Sequence, residues 1–313
     1  MSWPQRIRAG REHASFGRGP GFLLSLLLGS SLLLLGGEAR ALDRNGRPRQ
    51  ESNQQRLNQG QELPLEVRVP HMDSGRAQLA HARRLKMRSF RGKGPEDRLF
   101  WRSLAIEAYQ AVRAYHPDEP DVSAEGAFRA GELLRADKDL DAARAEFKLA
   151  RKLGVGTPFR ARARLELGHL ARRLGDLRQA LDHYLALASD SGAAVRHREN
   201  GWLWAGRCWW QRGAHVEARR AWNGVAERAL DPFLALRAHD ELTLAWIEEG
   251  ELKEAAAQLE RCGFGLTSVL LEESERGEKL SDAFRRMRAR DALRSALART
   301  QTTGSDQESI QAP

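Results

Sequence analysis

Small and apolar residues recur along the middle of the chain at a period far longer than a helical turn. Ala143, Ala180, Ala218 and Ala255 are spaced 37, 38 and 37 residues apart. Four residues after each stands a bulky side chain: Phe147, Tyr184, Trp222 and Leu259. Three further on comes Ala150, Leu187, Val225 or Cys262. Offsets of 3, 4 and 7 put these residues on one face of a helix. A turn begins five residues before each alanine, at Lys138-Asp139, Gly175-Asp176, Gly213-Ala214 and Gly250-Glu251. Upstream of each turn lies a small pair: Ala130-Gly131, Leu167-Gly168, Ala205-Gly206 and Leu242-Thr243. Leu134, Ala171, Trp209 and Trp246 follow these pairs three residues later. Each unit therefore reads as two helices folded back on one another, with small residues where they cross. One such hairpin cannot bury its own apolar face, so neighbouring units must stack.

An earlier unit shares the register. Ala105 lies 38 residues before Ala143, within Ala105-Ile106-Glu107-Ala108-Tyr109, and is followed by Val112 and Pro117. The pattern resembles the tetratricopeptide repeat family. Its first-helix signature of a tryptophan, a small pair and an aromatic is best kept in Trp202, Ala205-Gly206 and Trp209. Its second-helix signature is best kept in Ala105 to Tyr109. The period exceeds the family's usual 34, and the surplus is expected in loops near Gly154 to Pro158 and Ser189 to Gly192. Proline closes a unit only at Pro117, Pro158 and Pro232. The resemblance implies an all-α, right-handed solenoid of about five to six antiparallel helix pairs over residues 75–299, with a groove that takes a peptide or helix of a partner protein.

The same resemblance implies which residues line that groove. In the third clear repeat they are Asn200, Leu203, Arg207, Trp210 and Gln211. In the second they are Arg162, Leu165, His169, Arg172 and Arg173, and in the first Glu125, Phe128, Glu132, Arg135 and Ala136. Arg135, Arg162, His169, Arg172, Arg173, Leu203, Arg207, Trp210 and Gln211 are taken as the candidate partner-binding set. The lysine and asparagine clamp with which some family members hold a C-terminal carboxylate is not matched at these places. Five of the eight tryptophans fall between Trp202 and Trp222. Trp202, Trp209 and Trp222 occupy core positions, whereas the repeat does not account for Trp204 and Trp210. A tryptophan beside arginines is the composition of a recognition surface; packing of Trp210 on the adjacent repeat is the alternative.

Composition narrows the function classes. Of 313 residues, 41% are hydrophobic and 30% charged, and the net charge is +9. The arginines are spread among acids over many helix faces, and no nucleic-acid motif is present, so a solvated helical surface accounts for the charge. Cys208 and Cys262 sit at packing positions and read as two unpaired thiols. The nine histidines are scattered, with no metal-ligand spacing. Neither a nucleophile elbow nor a phosphate loop occurs. No catalytic residue, metal site or cofactor is expected, and the chain reads as a non-enzymatic scaffold.

The N-terminus carries a different signal. Arg6, Arg8, Arg11 and Arg18 precede an apolar run from Phe22 to Leu35, and Ala39-Arg40-Ala41 follows. A basic start, a short apolar stretch and a small-x-small site build a secretory signal peptide over residues 1–41, cleaved after Ala41. An uncleaved N-terminal anchor is the competing reading. The pattern fits bacterial export to the periplasm or cell envelope. Residues 42–74, with Pro48, Pro64 and Pro70, read as a flexible polar linker. Ser74 caps a basic helix over 75–91, either a divergent first-repeat helix or a surface for anionic lipid or polymer. Gly92 to Pro95 then break the chain. Gly263-Phe264-Gly265 reads as a turn before a last pair, Thr267 to Arg276 and Ser281 to Arg299, whose basic side is the other candidate polyanion surface. Residues 300–313 read as a disordered tail. An accessory role, positioning an enzyme, fits the same scaffold.

Overall fold

The computed structural model describes residues 69–270 and 275–308. The signal peptide or anchor, and all but the last residues of the linker, lie outside the described residues. Twelve α-helices form six consecutive pairs: α1 (Gly75–Arg91) with α2 (Pro95–Tyr115), α3 (Pro120–Ala136) with α4 (Leu140–Leu153), α5 (Pro158–Arg173) with α6 (Leu177–Ala188), α7 (Val195–Gln211) with α8 (His215–Arg228), α9 (Pro232–Glu248) with α10 (Leu252–Leu270), and α11 (Glu275–Arg285) with α12 (Arg288–Glu308). There is no strand among the described residues. Each helix from α1 to α11 packs on the helix before or after it in the chain, and the first helix of each pair from α1 to α9 also packs on the first helix of the next pair. The last pair differs, because α12 rather than α11 lies chiefly against α9.

Local chemistry sets the boundaries. Pro95, Pro120, Pro158 and Pro232 open α2, α3, α5 and α9, where a missing N–H costs nothing. Pro158 and Pro232 thus begin units rather than close them. Ser74, Asp139, Thr157, Asp176 and Asp231 accept a hydrogen bond from the first helical turn that follows each. Between α3 and α10 the turn inside each pair places one residue in the left-handed region: Lys138, Gly175, Gly213 and Gly250. Lysine holds φ at 68° where the other three units have glycine.

The core is built from the repeat positions. Ala105, Tyr109, Ala143, Phe147, Ala180, Tyr184, Ala218 and Ala255 are buried, and Trp222 is 2% exposed. Trp202, Trp209 and Trp246 are partly buried, the first two against the cluster around Trp222. The small residue of the first helix meets the bulky residue of the second in three units. A Cβ on Gly131 would lie 2.8 Å from the Phe147 ring, one on Gly168 2.4 Å from Tyr184, and one on Gly206 2.4 Å from Trp222. Only a glycine permits these approaches. Cys208 and Cys262 are unpaired and buried.

Two features differ from the sequence expectation. Gly263-Phe264-Gly265 is not a turn: α10 runs through it to Leu270. Ala255, Cys262 and Leu266 are buried and Leu259 packs beside them, so the apolar period of three and four continues across the glycines. That burial outweighs the roughly 1 kcal/mol that each glycine costs in a helix. The last pair is displaced accordingly, and α12 ends at Glu308 rather than Arg299. Extending an existing helix over Ser, Thr and Gly costs less than nucleating one. The terminal pair still closes the core, since Leu280 and Met287 are buried and Phe284 packs against them.

Two substitutions test this account in opposite directions. Gly206→Ala forces a methyl into Trp222 and should destabilise by about 1–3 kcal/mol. Ala214 precedes α8 without a side-chain cap, so Ala214→Asp, matching Asp139 and Asp176, should stabilise by about 1 kcal/mol. Urea denaturation followed by circular dichroism reads both shifts.

Candidate functional site

Alignment of the first helices side by side brings one stripe from each onto a common face. The stripe runs at spacings of four, three and four residues, the period of a helix surface. In α7 it comprises Asn200, Trp204, Arg207 and Gln211; in α5 it comprises Arg162, Glu166, His169 and Arg173. In α3 it comprises Glu125, Arg129, Glu132 and Ala136, and in α9 Arg237, Glu241, Leu244 and Glu248. Leu203, expected in the groove, is instead fully buried in the core, where its carbonyl accepts a 3.1 Å hydrogen bond from Trp222 Nε1. Phe128, its counterpart in α3, is 1% exposed. The lining position is one residue further on, at Trp204.

Ion pairs link successive stripes. Arg83 of α1 reaches Glu125 at 2.7 Å, and Arg129 bonds Glu132 at 2.9 Å within α3. Arg162 lies 3.6 Å from Glu132, with its guanidinium 4.3 Å over the Phe128 ring, and Arg135 lies 3.3 Å from Glu166. Arg207 pairs with Glu241 across α7 and α9, and Arg288 of α12 reaches Glu241 at 3.1 Å and Asp240 at 3.2 Å. Between α5 and α7 no such pair joins the stripes among the described residues. Trp204 stands there instead.

Trp204 is surrounded by cations and rings. The guanidinium of Arg207 lies 4.2 Å from its ring centre, that of Arg172 5.0 Å and that of Arg237 5.9 Å. His169 meets the ring edge-on at 4.5 Å, and Tyr184 stacks at 6.1 Å. Among the described residues, neither Arg172 nor Arg237 has a carboxylate within 4 Å. Burial and the neighbouring Arg207 disfavour the charge on Arg237, and Glu241 only partly offsets them. His169 Nδ1 lies 2.7 Å from the Tyr184 hydroxyl. Burial, then the arginines led by Arg172, hold the His169 imidazole down to about 4. Burial raises the Tyr184 phenol, so a protonated hydroxyl and a neutral imidazole share this hydrogen bond.

A cleft of about 260 Å³ opens beside this cluster, and Arg172, Trp204, Arg207, Trp210, Glu241 and Arg288 are among the residues that line it, with Gln211. Trp210 does line it, yet its ring is engaged: it stacks on His215 at 4.0 Å and donates from Nε1 to Glu248 at 2.8 Å. Arg173 and Gln211 are exposed at the ends of α5 and α7. The structure therefore gathers Arg172, Arg207, His169, Trp210 and Gln211 at one place, puts Arg135 and Arg162 in the ion-pair ladder of the preceding units, and removes Leu203. Sequence reading singled out Trp204 without placing it in the groove, and missed Arg237, Glu241 and Arg288. The spacing of 200, 204, 207 and 211 held the signal for Trp204; nothing local in the sequence brings Arg288 there.

Glycine against aromatic ring in three successive units, joined by three-residue turns at a period near 37, decides the architecture. The fold is a tetratricopeptide-like solenoid. No protein-family model matches the chain, and no curated protein matches it. Solved structures of similar build include MamA, 17% identical over 67% of this chain and 97% of its own, with a TM-score of 0.45. The tetratricopeptide-like repeats of a putative kinesin light chain from Podosopora anserina are 17% identical over 65% of this chain and 100% of theirs, at 0.46. BtubC from P. vanneervenii is 13% identical over 68% and 95%, at 0.43. These likenesses are of helix-pair stacking and do not decide what this tetratricopeptide-like chain binds.

The buried imidazoles give the solenoid a pH dependence. His169 and His239 both stay neutral down to about 4 in the fold, against 6.5 for the free side chain. Unfolding therefore takes up protons between these values. The stability they confer is full above pH 6.5 and falls as the pH drops toward 4. The urea midpoint should fall between pH 7 and pH 4.5, and His169→Gln should shrink that fall.

Proposed function

We propose that this chain is a non-catalytic docking scaffold that seats an acidic segment of a partner protein along the first-helix stripes, centred on Trp204. The observation that carries the reading is the break in the ion-pair ladder. Where other neighbouring stripes answer an arginine with a carboxylate, α5 and α7 offer a tryptophan with three guanidiniums within 6 Å, two of them lacking a carboxylate partner. A partner carboxylate completes the pattern, and an apolar residue beside it covers the Trp204 face. Preformed walls mean that only the incoming segment is ordered on binding. Tryptophan and arginine are also the residues in which interface energy concentrates.

We place this activity outside the cytoplasm, in the periplasm or cell envelope. The support is the sequence of residues 1–41 alone. Export with cleavage should leave Leu42 as the first residue of the mature protein, read by N-terminal sequencing of the secreted chain; Met1 on an envelope-retained chain would favour the anchor.

A fluorescent twelve-residue peptide of alternating glutamate and leucine tests the groove, with its glutamine counterpart as control. Binding by anisotropy should require the glutamates. Trp204→Ala, or Arg172→Ala with Arg207→Ala, should weaken it about tenfold or more, with helical content unchanged. Equal binding of the glutamine peptide, or unchanged binding by the folded variants, would count against the site.

A further inference from the structure

The two ends of the stack, both basic in sequence, differ in how their charge is used. At the C-terminal end the arginines are largely answered: Arg288 by Asp240 and Glu241, Arg285 by Asp282 at 2.6 Å, Arg294 by Asp291 at 3.8 Å. Arg290 lies over the Phe284 ring at 5.1 Å. At the N-terminal end they are not. α1 contains six arginines and lysines and no acid. Arg83 reaches Glu125 and Arg88 lies 4.9 Å over Trp101. Arg84, Lys86 and Arg91 have no carboxylate within 4 Å among the described residues.

The same surface carries unburied apolar side chains. Phe90 is 61% exposed and Met87 51%. Leu99, in the first turns of α2, is 57% exposed. Arg84, Met87, Arg88 and Arg91 lie at spacings of three, one and three, which is one helix face, and Phe90 borders it. A depression of about 570 Å³ opens among Arg84, Met87, Arg88 and Arg91. Among the described helices, α1 packs on α2 and α3 and on none later.

We propose that the free face of α1 docks on an anionic lipid bilayer, with Phe90 and Met87 entering the headgroup boundary and Arg84, Arg88 and Arg91 meeting lipid phosphates. A soluble polyanion would satisfy the cations but gives Phe90 and Met87 no apolar phase. A helix cationic on one side with phenylalanine and methionine beside the charge is the composition that lies in a membrane interface. Docking here leaves the cleft around Trp204, six helices further along in α7, free for a protein partner, so the two sites stand or fall separately.

Cys208 and Cys262 are fully buried, and burial pushes their thiols up to about 11 and about 12. A cysteine introduced on the surface of the full-length chain is therefore labelled selectively. An environment-sensitive fluorophore is attached at Phe90→Cys and, as a control, at Val216→Cys, an exposed site on α8. Vesicles of phosphatidylglycerol and phosphatidylcholine should brighten and blue-shift the label at position 90, vesicles of phosphatidylcholine alone should not, and position 216 should stay silent. Arg84→Gln and Arg91→Gln should each weaken the response about fivefold in lipid concentration. The proposal is overturned by silence at position 90, by an equal response to phosphatidylcholine alone, by an equal response at 216, or by the same response to double-stranded DNA in place of vesicles.

Discussion

The structure depends on the contact of a helix backbone with an aromatic ring. Gly131, Gly168 and Gly206 each let the second helix of their unit press a ring where any side chain would stand. The rings grow along the chain, from Phe147 to Tyr184 to Trp222, and the two with a polar atom have found a partner for it. Tyr184 bonds His169, and Trp222 bonds the Leu203 carbonyl, as a buried aromatic with a polar handle must. In the next unit the arrangement is traded for its complement. Thr243 replaces the glycine, Leu259 replaces the ring, and the threonine hydroxyl donates back to the His239 carbonyl at 2.9 Å. Volume is exchanged between the two helices while the gap between them stays filled.

That contact fixes the rotation of α3, α5 and α7, and the rotation fixes what reaches the shared face. A stripe spaced by four, three and four becomes a wall because α3, α5 and α7 are each seated against a ring by their glycine. The cross-unit ion pairs are partly exposed, and such pairs contribute little to stability. They act rather as a register for charge, placing acid against arginine from α1 through α5 and again from α7 to α12. The cavity beside Trp204 is the consequence of one substitution in that register, a large neutral ring at the position held by Arg129, Glu166 and Glu241 in the other units.

Most of the helix-pair architecture was legible because packing is periodic. Ala143, Ala180, Ala218 and Ala255 announce the units, and the turns at Lys138, Gly175, Gly213 and Gly250 divide them. Glycine misled where it was read without its apolar surroundings: Gly263 and Gly265 sit inside α10 because Cys262 and Leu266 hold the helical period around them. The face was legible in part. His169, Arg172, Arg207 and Trp210 fall where a repeat template places them. Leu203 does not, because a template of positions lacks the angle at which this first helix is seated, and a shift of one residue is 100° around the axis. Arg288 comes from a terminal helix outside the repeat, so no register could have supplied it.

The electrostatics of the cleft give it a direction. Arg172, Arg207 and Arg237 all stand within 6 Å of the Trp204 ring centre, and their charges repel. Arg207 is answered by Glu241, which Arg288 also claims. Arg237, partly desolvated and beside Arg207, bears the surplus. Such a cluster stands above its lowest free energy in the unbound chain. A ligand carboxylate placed over the Trp204 edge lowers the repulsion among the arginines as well as making its own contacts. Binding of the proposed acidic segment would then be favoured by relief of that repulsion, and would stabilise the fold in proportion. A neutral ligand of the same shape gains only the ring contact. The charge selectivity proposed for the cleft rests on the arrangement of the arginines around Trp204, while the glycine and aromatic pairs beneath hold that arrangement in place.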